Sequence, residues 1–210
     1  MNDVMNGLFT RFPELEYCRP AITAASDTLE ICFRSGGKVL LCGNGGSCAD
    51  AQHIVGELLK GFLSSRPLSD DIKAEMKDAC PDIGDALLNK LQGGLPAFAL
   101  SDASALITAF ANDVDAELVY AQQVFALGRK NDILIGISTS GNASNVFYAA
   151  KTAKAVGMKV IGLTGMTGGK LAKVSDIAII APADETYRIQ EYHLPIYHAL
   201  CAEIENRIFG

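Results

Sequence analysis

The chain has three histidines, and two of them stand where a metal or an acid–base pair would use them. His53 is followed four residues later by Glu57, a step that keeps both side chains on one face of a helix. His198 lies eight residues after Gln190 in the last apolar segment. That spacing overshoots two helical turns by about 80°, so this second pair is less neatly in phase. Two imidazoles, a carboxylate and an amide oxygen are acceptable ligands for tetrahedral zinc. Without a metal, Glu57 and His198 read as a general base and acid. Such a pair serves an aldose–ketose interconversion, which moves a proton between adjacent carbons through an enediol. Burial would raise the carboxyl pKa and lower the imidazole pKa, drawing both toward neutrality. His193 ranks below His198, as a core or hydrogen-bonded histidine.

Two turns could hold the other end of such a substrate. Gly43-Asn44-Gly45-Gly46-Ser47 follows an apolar run and precedes the segment of His53. Its glycines allow the backbone to leave a strand sharply, exposing N–H groups of Gly46 and Ser47 at a helix start, where unpaired donors and the helix dipole favour an anion. The bland alternative is a tight turn capped by Ser47. Ser138-Thr139-Ser140-Gly141-Asn142 follows a second apolar run. A helix cap needs one hydroxyl; three in a row suit a phosphate. The two turns together favour a small phosphorylated ligand.

The elements that must position these residues alternate. Lys38–Cys42, Pro96–Leu100, Asp132–Ile137, Lys159–Leu163 and Asp176–Ile180 are near-continuously apolar, as strands of a parallel sheet buried on both faces are. Helix-length segments separate them: Ala49–Leu63, Ala103–Gly128 (as one helix or two) and Ala143–Val156. Pro20–Ser35 reads as a leading helix stopped by Gly36-Gly37, and Thr186–Ile208 as a closing helix that Pro195 should kink or interrupt. The expectation is an α/β three-layer sandwich, doubly wound around a five-stranded parallel sheet, with ligands at the carboxyl ends of its strands. Residues 64–94 are more polar, with Pro67, Pro81 and Gly93-Gly94, and read as a surface insertion. Within them Asp70–Lys77, capped by Ser69, and Asp85–Leu91 are short helix candidates. The chain is expected to be one domain over residues 1–210, with a leading helical segment over 1–36.

At 210 residues, 49% hydrophobic and 20% charged, the chain is expected to be globular rather than disordered. A net charge of −6 leaves no footprint for nucleic-acid backbones. No secretory signal or bilayer-length apolar run is legible, and the six cysteines form no C-x-x-C pair. Buried reduced thiols in a soluble cytoplasmic protein, without membrane partners, are the expectation.

KVLLCGNGGSCADAQHIVGEL, TAFANDV, GISTSGN, KVIGLTGMTGGKLA and RIQEYHLPIYH, in this order, resemble the sugar isomerase (SIS) domain family, and within it the phosphoheptose isomerases. The resemblance runs over nearly the whole chain. It implies conversion of sedoheptulose 7-phosphate to D-glycero-D-manno-heptose 7-phosphate in a homotetramer whose active sites are shared between subunits. It implies one zinc per subunit on His53, Glu57, Gln190 and His198, with Glu57 and His198 as the acid–base pair. Asn44, Ser47, Asp113, Ser138, Thr139 and Ser140 match substrate-contacting positions, beside Gly45, Gly46 and Gln190. Three features depart from the pattern. Ala143 stands where the family has a serine, with Ser144 next to it. Tyr187 replaces an acidic residue. The 64–94 stretch is longer than usual.

Two other readings remain. One is a non-catalytic SIS module of the kind that associates with the bacterial replication initiator. That family lacks the glutamate and histidine found here at 57 and 198. The other is an isomerase of a different phosphosugar, which Ala143 and Tyr187 leave open.

Overall fold

In the computed structural model, which describes residues 4–210, five parallel strands form one sheet flanked by helices. In chain order the elements are α1 (Val4–Arg11), α2 (Arg19–Arg34), β1 (Val39–Cys42), α3 (Gly46–Leu59), α4 (Asp70–Ala79), α5 (Asp85–Leu88), β2 (Ala97–Ala99), α6 (Ser104–Phe110), α7 (Val119–Leu127), β3 (Ile133–Ser138), α8 (Ser144–Ala155), β4 (Lys159–Thr164), α9 (Gly169–Val174), β5 (Ile177–Ile180) and α10 (Thr186–Phe209). All five expected strands form, within one or two residues of their expected ends. The expected long segment before β3 is broken: α6 runs into a π-helical turn (Ala111–Asp115) and a 3-10 turn (Ala116–Leu118) before α7.

The apolar runs become strands because alternate residues feed two cores. Val39, Leu41, Ile133, Ile135, Ile137, Ile161 and Leu163 face the core built with α1, α2, α3 and α10. Leu40, Cys42, Leu134 and Val160 face the one built with α7, α8 and α9. A strand buried on both sides has no polar face to show, so it reads as a continuous apolar run.

The sheet order is β2-β1-β3-β4-β5. The chain steps outward from β1 to β2, then returns to the other side of β1 to lay down β3. The strand order therefore reverses between β1 and β3, and at such a switch point the loops leaving the carboxyl ends part and open a crevice.

Of the two expected effects of Pro195, a kink or an interruption, the second does not occur: α10 is continuous through it. Proline removes one backbone hydrogen bond, at a cost of about 3 kcal/mol. Here Ile189, His193, Pro195, Ile196, Tyr197, Leu200, Cys201 and Ile204 of the same helix are buried, and that packing outweighs the lost bond. All six cysteines are free thiols, four of them buried. Among the described residues, no helix is long and apolar enough to cross a membrane.

Candidate active site

The crevice at the switch point is lined by Asn44, Gly45, Gly46 and Ser47 from the loop after β1, and Ile137 to Ser140 and Ala143 from the loop after β3. Thr186 and Gln190 of α10 close it, around a cavity of about 330 Å³. The two hydroxyl-bearing turns thus meet, as their positions after β1 and β3 require. Neither helix they lead into is capped by a side chain: Gly45 precedes α3 and Ala143 precedes α8. The three hydroxyls of the second turn are therefore not spent as a cap of α8, although Ser140 Oγ accepts from the Asn142 N–H at 3.2 Å.

The loops are fixed to each other and to the scaffold. Asn44 and Asn145 exchange amide hydrogen bonds of 2.9 and 3.0 Å, tying the first turn to the start of α8. The Tyr120 hydroxyl donates to the Gly43 carbonyl at 2.8 Å. Gly141 adopts φ +65°, and a Cβ there would overlap the Gly168 carbonyl oxygen, so the bend is restricted to glycine. Gly46 has no side chain where Gln190 packs against it; any Cβ would collide with the Gln190 amide.

α3 and α10 run side by side in the same direction. Gly46 meets Gln190, and further along His53 meets Tyr197. His53 Nε2 lies 3.2 Å from Glu57 Oε1, and Lys60 Nζ lies 3.2 Å from Glu57 Oε2. The His198 ring stands edge-on to His53, centroids 5.0 Å apart, and against Phe62 at 5.5 Å. His198 Nε2 is buried and finds no hydrogen-bond partner among the described residues. Burial pulls the His198 pKa below the ordinary imidazole value, and the neighbouring His53 adds to that, with Glu57 opposing. An imidazole with one unengaged nitrogen can take or give a proton.

The structure therefore brings His53, Glu57 and His198 to one wall, and Gln190 with Asn44, Gly45, Gly46, Ser47, Ser138, Thr139 and Ser140 to the adjoining crevice. Asp113 does not line that crevice; it sits exposed in the π-helical turn, bonded to the Asn112 amide at 2.8 Å. Tyr187 is 63% exposed at the start of α10, whereas its neighbour Thr186 lines the crevice. Among the described residues no group of three or more His, Cys, Asp and Glu side chains is placed to hold a metal ion. His193 is fully buried and donates from Nε2 to the Thr164 carbonyl at 3.2 Å, while burial lowers its pKa to about 4.

Three site residues escape sequence reading. Asn145 braces Asn44. Tyr197 Oη lies 2.9 Å from His53 Nδ1 and donates to Asp50 Oδ1 at 3.4 Å. The signal for Asp50 was present: Asp50, His53 and Glu57 follow an i, i+3, i+7 pattern along one face of α3. Tyr197 carried no such signal, because its partners lie 144 and 147 residues away.

The family model described as the SIS domain matches residues 5–81 and 73–165. The phosphoheptose isomerase of Rhodospirillum rubrum is 38% identical over 94% of this chain and 91% of its own length. Two solved structures align over almost the whole chain. The phosphoheptose isomerase of Francisella tularensis has a TM-score of 0.77 at 36% identity, covering 93% of this chain and 91% of that one. That of Neisseria gonorrhoeae has a TM-score of 0.72 at 33% identity, covering 96% and 98%.

Proposed function

The chain belongs to the SIS-domain family and, within it, to the phosphoheptose isomerases, and from that membership and the geometry of its site we propose that it interconverts sedoheptulose 7-phosphate and D-glycero-D-manno-heptose 7-phosphate by enediol acid–base chemistry. One observation carries the proposal. The hydroxyl-lined crevice and the His53–Glu57–His198 wall lie along the same pair of helices. Gly46 and His53 are separated by roughly 10 Å along α3. That separation suits a sugar of several carbons held by its phosphate, with its carbonyl end at the wall.

The phosphate binds to the hydroxyls of Ser47, Ser138, Thr139 and Ser140 and to the uncapped starts of α3 and α8. The carbonyl end then meets Glu57 and His198. In the ketose-to-aldose direction, Glu57 takes a proton from carbon 1 and His198 gives one to the carbonyl oxygen on carbon 2. The product of this half is the enediol. In the second half His198 takes the proton from the oxygen on carbon 1 and Glu57 returns one to carbon 2, leaving an aldehyde at carbon 1. Asn44 holds the first turn in place through Asn145. Asp113 reaches substrate from a neighbouring subunit in this reading, which agrees with its position outside its own crevice. Exposed Phe98, Val114 and Phe125 support association into a homotetramer with shared active sites.

Each hydrogen bond to the phosphate contributes about 1.5–3 kcal/mol. Ser138→Ala, Thr139→Ala and Ser140→Ala are each expected to raise KM for the sugar phosphate by roughly 10- to 150-fold, with a smaller change in kcat. Steady-state kinetics checks this. A lowered kcat at constant KM would place these hydroxyls elsewhere.

In chemical type zinc fits the donors His53, Glu57, Gln190 and His198, one ion per subunit, and the unengaged Nε2 of His198 supports it; within one chain Gln190 packs against Gly46, roughly 10 Å along α3 from His53 and apart from the other three. When bound, zinc polarises a carbonyl as a Lewis acid. Elemental analysis of protein purified without added metal should find stoichiometric zinc that His53→Ala loses. Zinc-free protein of full activity would leave only the acid–base roles.

A further inference from the structure

Tyr197 and Asp50 belong neither to the ligand loops nor to the acid–base pair, yet together they back the imidazole of His53. We infer that these two act as positioning residues that lock His53 in its Nδ1–H tautomer, so that Nε2 is the nitrogen presenting a lone pair toward Glu57 and His198. The inference rests on the isomerase reading only for the use made of that lone pair.

The tautomer follows from a count of protons. Tyr197 is 2% exposed and its hydroxyl has one hydrogen to give. Its oxygen lies 2.9 Å from His53 Nδ1 and 3.4 Å from Asp50 Oδ1. In one arrangement His53 Nδ1–H donates to the tyrosine oxygen and the tyrosine O–H donates to Asp50. In the other the tyrosine O–H turns to Nδ1, and the imidazole hydrogen sits on Nε2, facing Glu57. The second arrangement strips Asp50 of its donor, and Asp50 Oδ2 is already buried with no partner among the described residues. A desolvated carboxylate with no donor at all is costly. Glu57 is not in the same position, because Lys60 reaches its other oxygen at 3.2 Å. The hydrogen therefore goes where it is needed most, to Asp50, and His53 carries its own on Nδ1.

A second contact of the same tyrosine strengthens the geometry. The Tyr197 ring stands edge-on to both His53 and His198, with centroids 5.5 and 5.1 Å away. The imidazole of His53 is thus held in orientation as well as in tautomer. Orienting partners of this kind typically change metal affinity or activity by about 10- to 100-fold when removed.

The test is a long-range proton–nitrogen correlation spectrum of the metal-free protein at about pH 8, where an ordinary imidazole is neutral. With three histidines in the chain, His193→Gln and His198→Gln assign the signals. The expected wild-type result is a His53 Nδ1 of pyrrole type and an Nε2 of pyridine type. Tyr197→Phe removes the acceptor, and Asp50→Leu frees the tyrosine hydrogen to turn to Nδ1. Both should move His53 toward the Nε2–H form while His193 keeps its wild-type signals, and both should weaken zinc binding by about 10- to 100-fold. A wild-type His53 already in the Nε2–H form overturns the inference, even if neither variant folds. So does an unchanged tautomer in both folded variants. A locked tautomer in a protein that converts no sugar phosphate leaves the lock standing and removes the isomerase reading instead.

Discussion

Glu57→Gln is expected to lower kcat for sedoheptulose 7-phosphate by about 10²- to 10⁴-fold, with KM and melting temperature nearly unchanged. The substitution keeps the size of the side chain and its ability to accept a hydrogen bond from Lys60. It removes the capacity to take a proton from carbon. The Glu57 side chain is 13% exposed, so little solvated surface is disturbed. His198→Ala should fall in the same range, because it removes a buried Nε2 that has no hydrogen-bond partner among the described residues. Initial-rate assays on folded variants, with melting curves as control, check both. Wild-type turnover in either variant would remove that residue from the mechanism.

Arg66→Ala is expected to have the largest effect on stability. Arg66 and Glu205 form an ion pair of 2.6 Å with side chains 0% and 3% exposed. Glu205 also accepts from the backbone N–H groups of Phe62, Leu63 and Ser64 at 2.8, 2.7 and 2.9 Å. Arg66 donates to the carbonyls of Leu58 at 2.8 Å and Glu57 at 3.0 Å, closing the end of α3. Removing the guanidinium leaves a buried carboxylate without its counter-ion, which costs about 3–5 kcal/mol, or roughly 6–20 °C in melting temperature for a chain of this size. Burial pushes the Glu205 carboxyl up, but the N–H groups of Phe62 and Leu63 and the Arg66 guanidinium outweigh it and hold the pKa below its ordinary value of 4.5. A carboxyl depressed on folding stabilises above its unfolded pKa and loses that contribution as the pH falls through the folded value. Wild-type stability should therefore drop on acidification below about pH 4.5, and the drop should be shallower in Arg66→Ala. Thermal melts across pH check this; parallel curves for the two proteins would contradict it.

Much of the scaffold was legible because its physics is local. Strands buried on both faces can only be continuous apolar runs, and helix α4 started at Ser69, whose hydroxyl accepts from the Ile72 N–H. The hydroxyl turns were legible because a turn after a buried strand must lie at the strand's carboxyl end. What escaped depends on partners far away in the chain. Residues 64–94 read as a polar surface stretch, and α4 indeed buries nothing. Yet Arg66 at its base is among the most buried side chains, since its partner Glu205 lies 139 residues on. The ends of the stretch are also pinned together: Pro67 bridges Gln92, and the Gly93 N–H donates to the Arg66 carbonyl at 2.8 Å. Charge pattern alone cannot distinguish a solvated arginine from one that folds inward. The continuity of α10 through Pro195 escaped for a related reason, because a propensity penalty is local while the packing that overrides it is tertiary.

The most direct test is a paired turnover assay of the wild-type protein on sedoheptulose 7-phosphate and on sedoheptulose itself, followed by NMR. A crevice that grips the phosphate and a wall that moves the proton predict conversion of the phosphorylated ketose to its aldose, and no detectable conversion of the free sugar. A folded protein that leaves sedoheptulose 7-phosphate unchanged, or that isomerises both compounds equally well, would contradict the account.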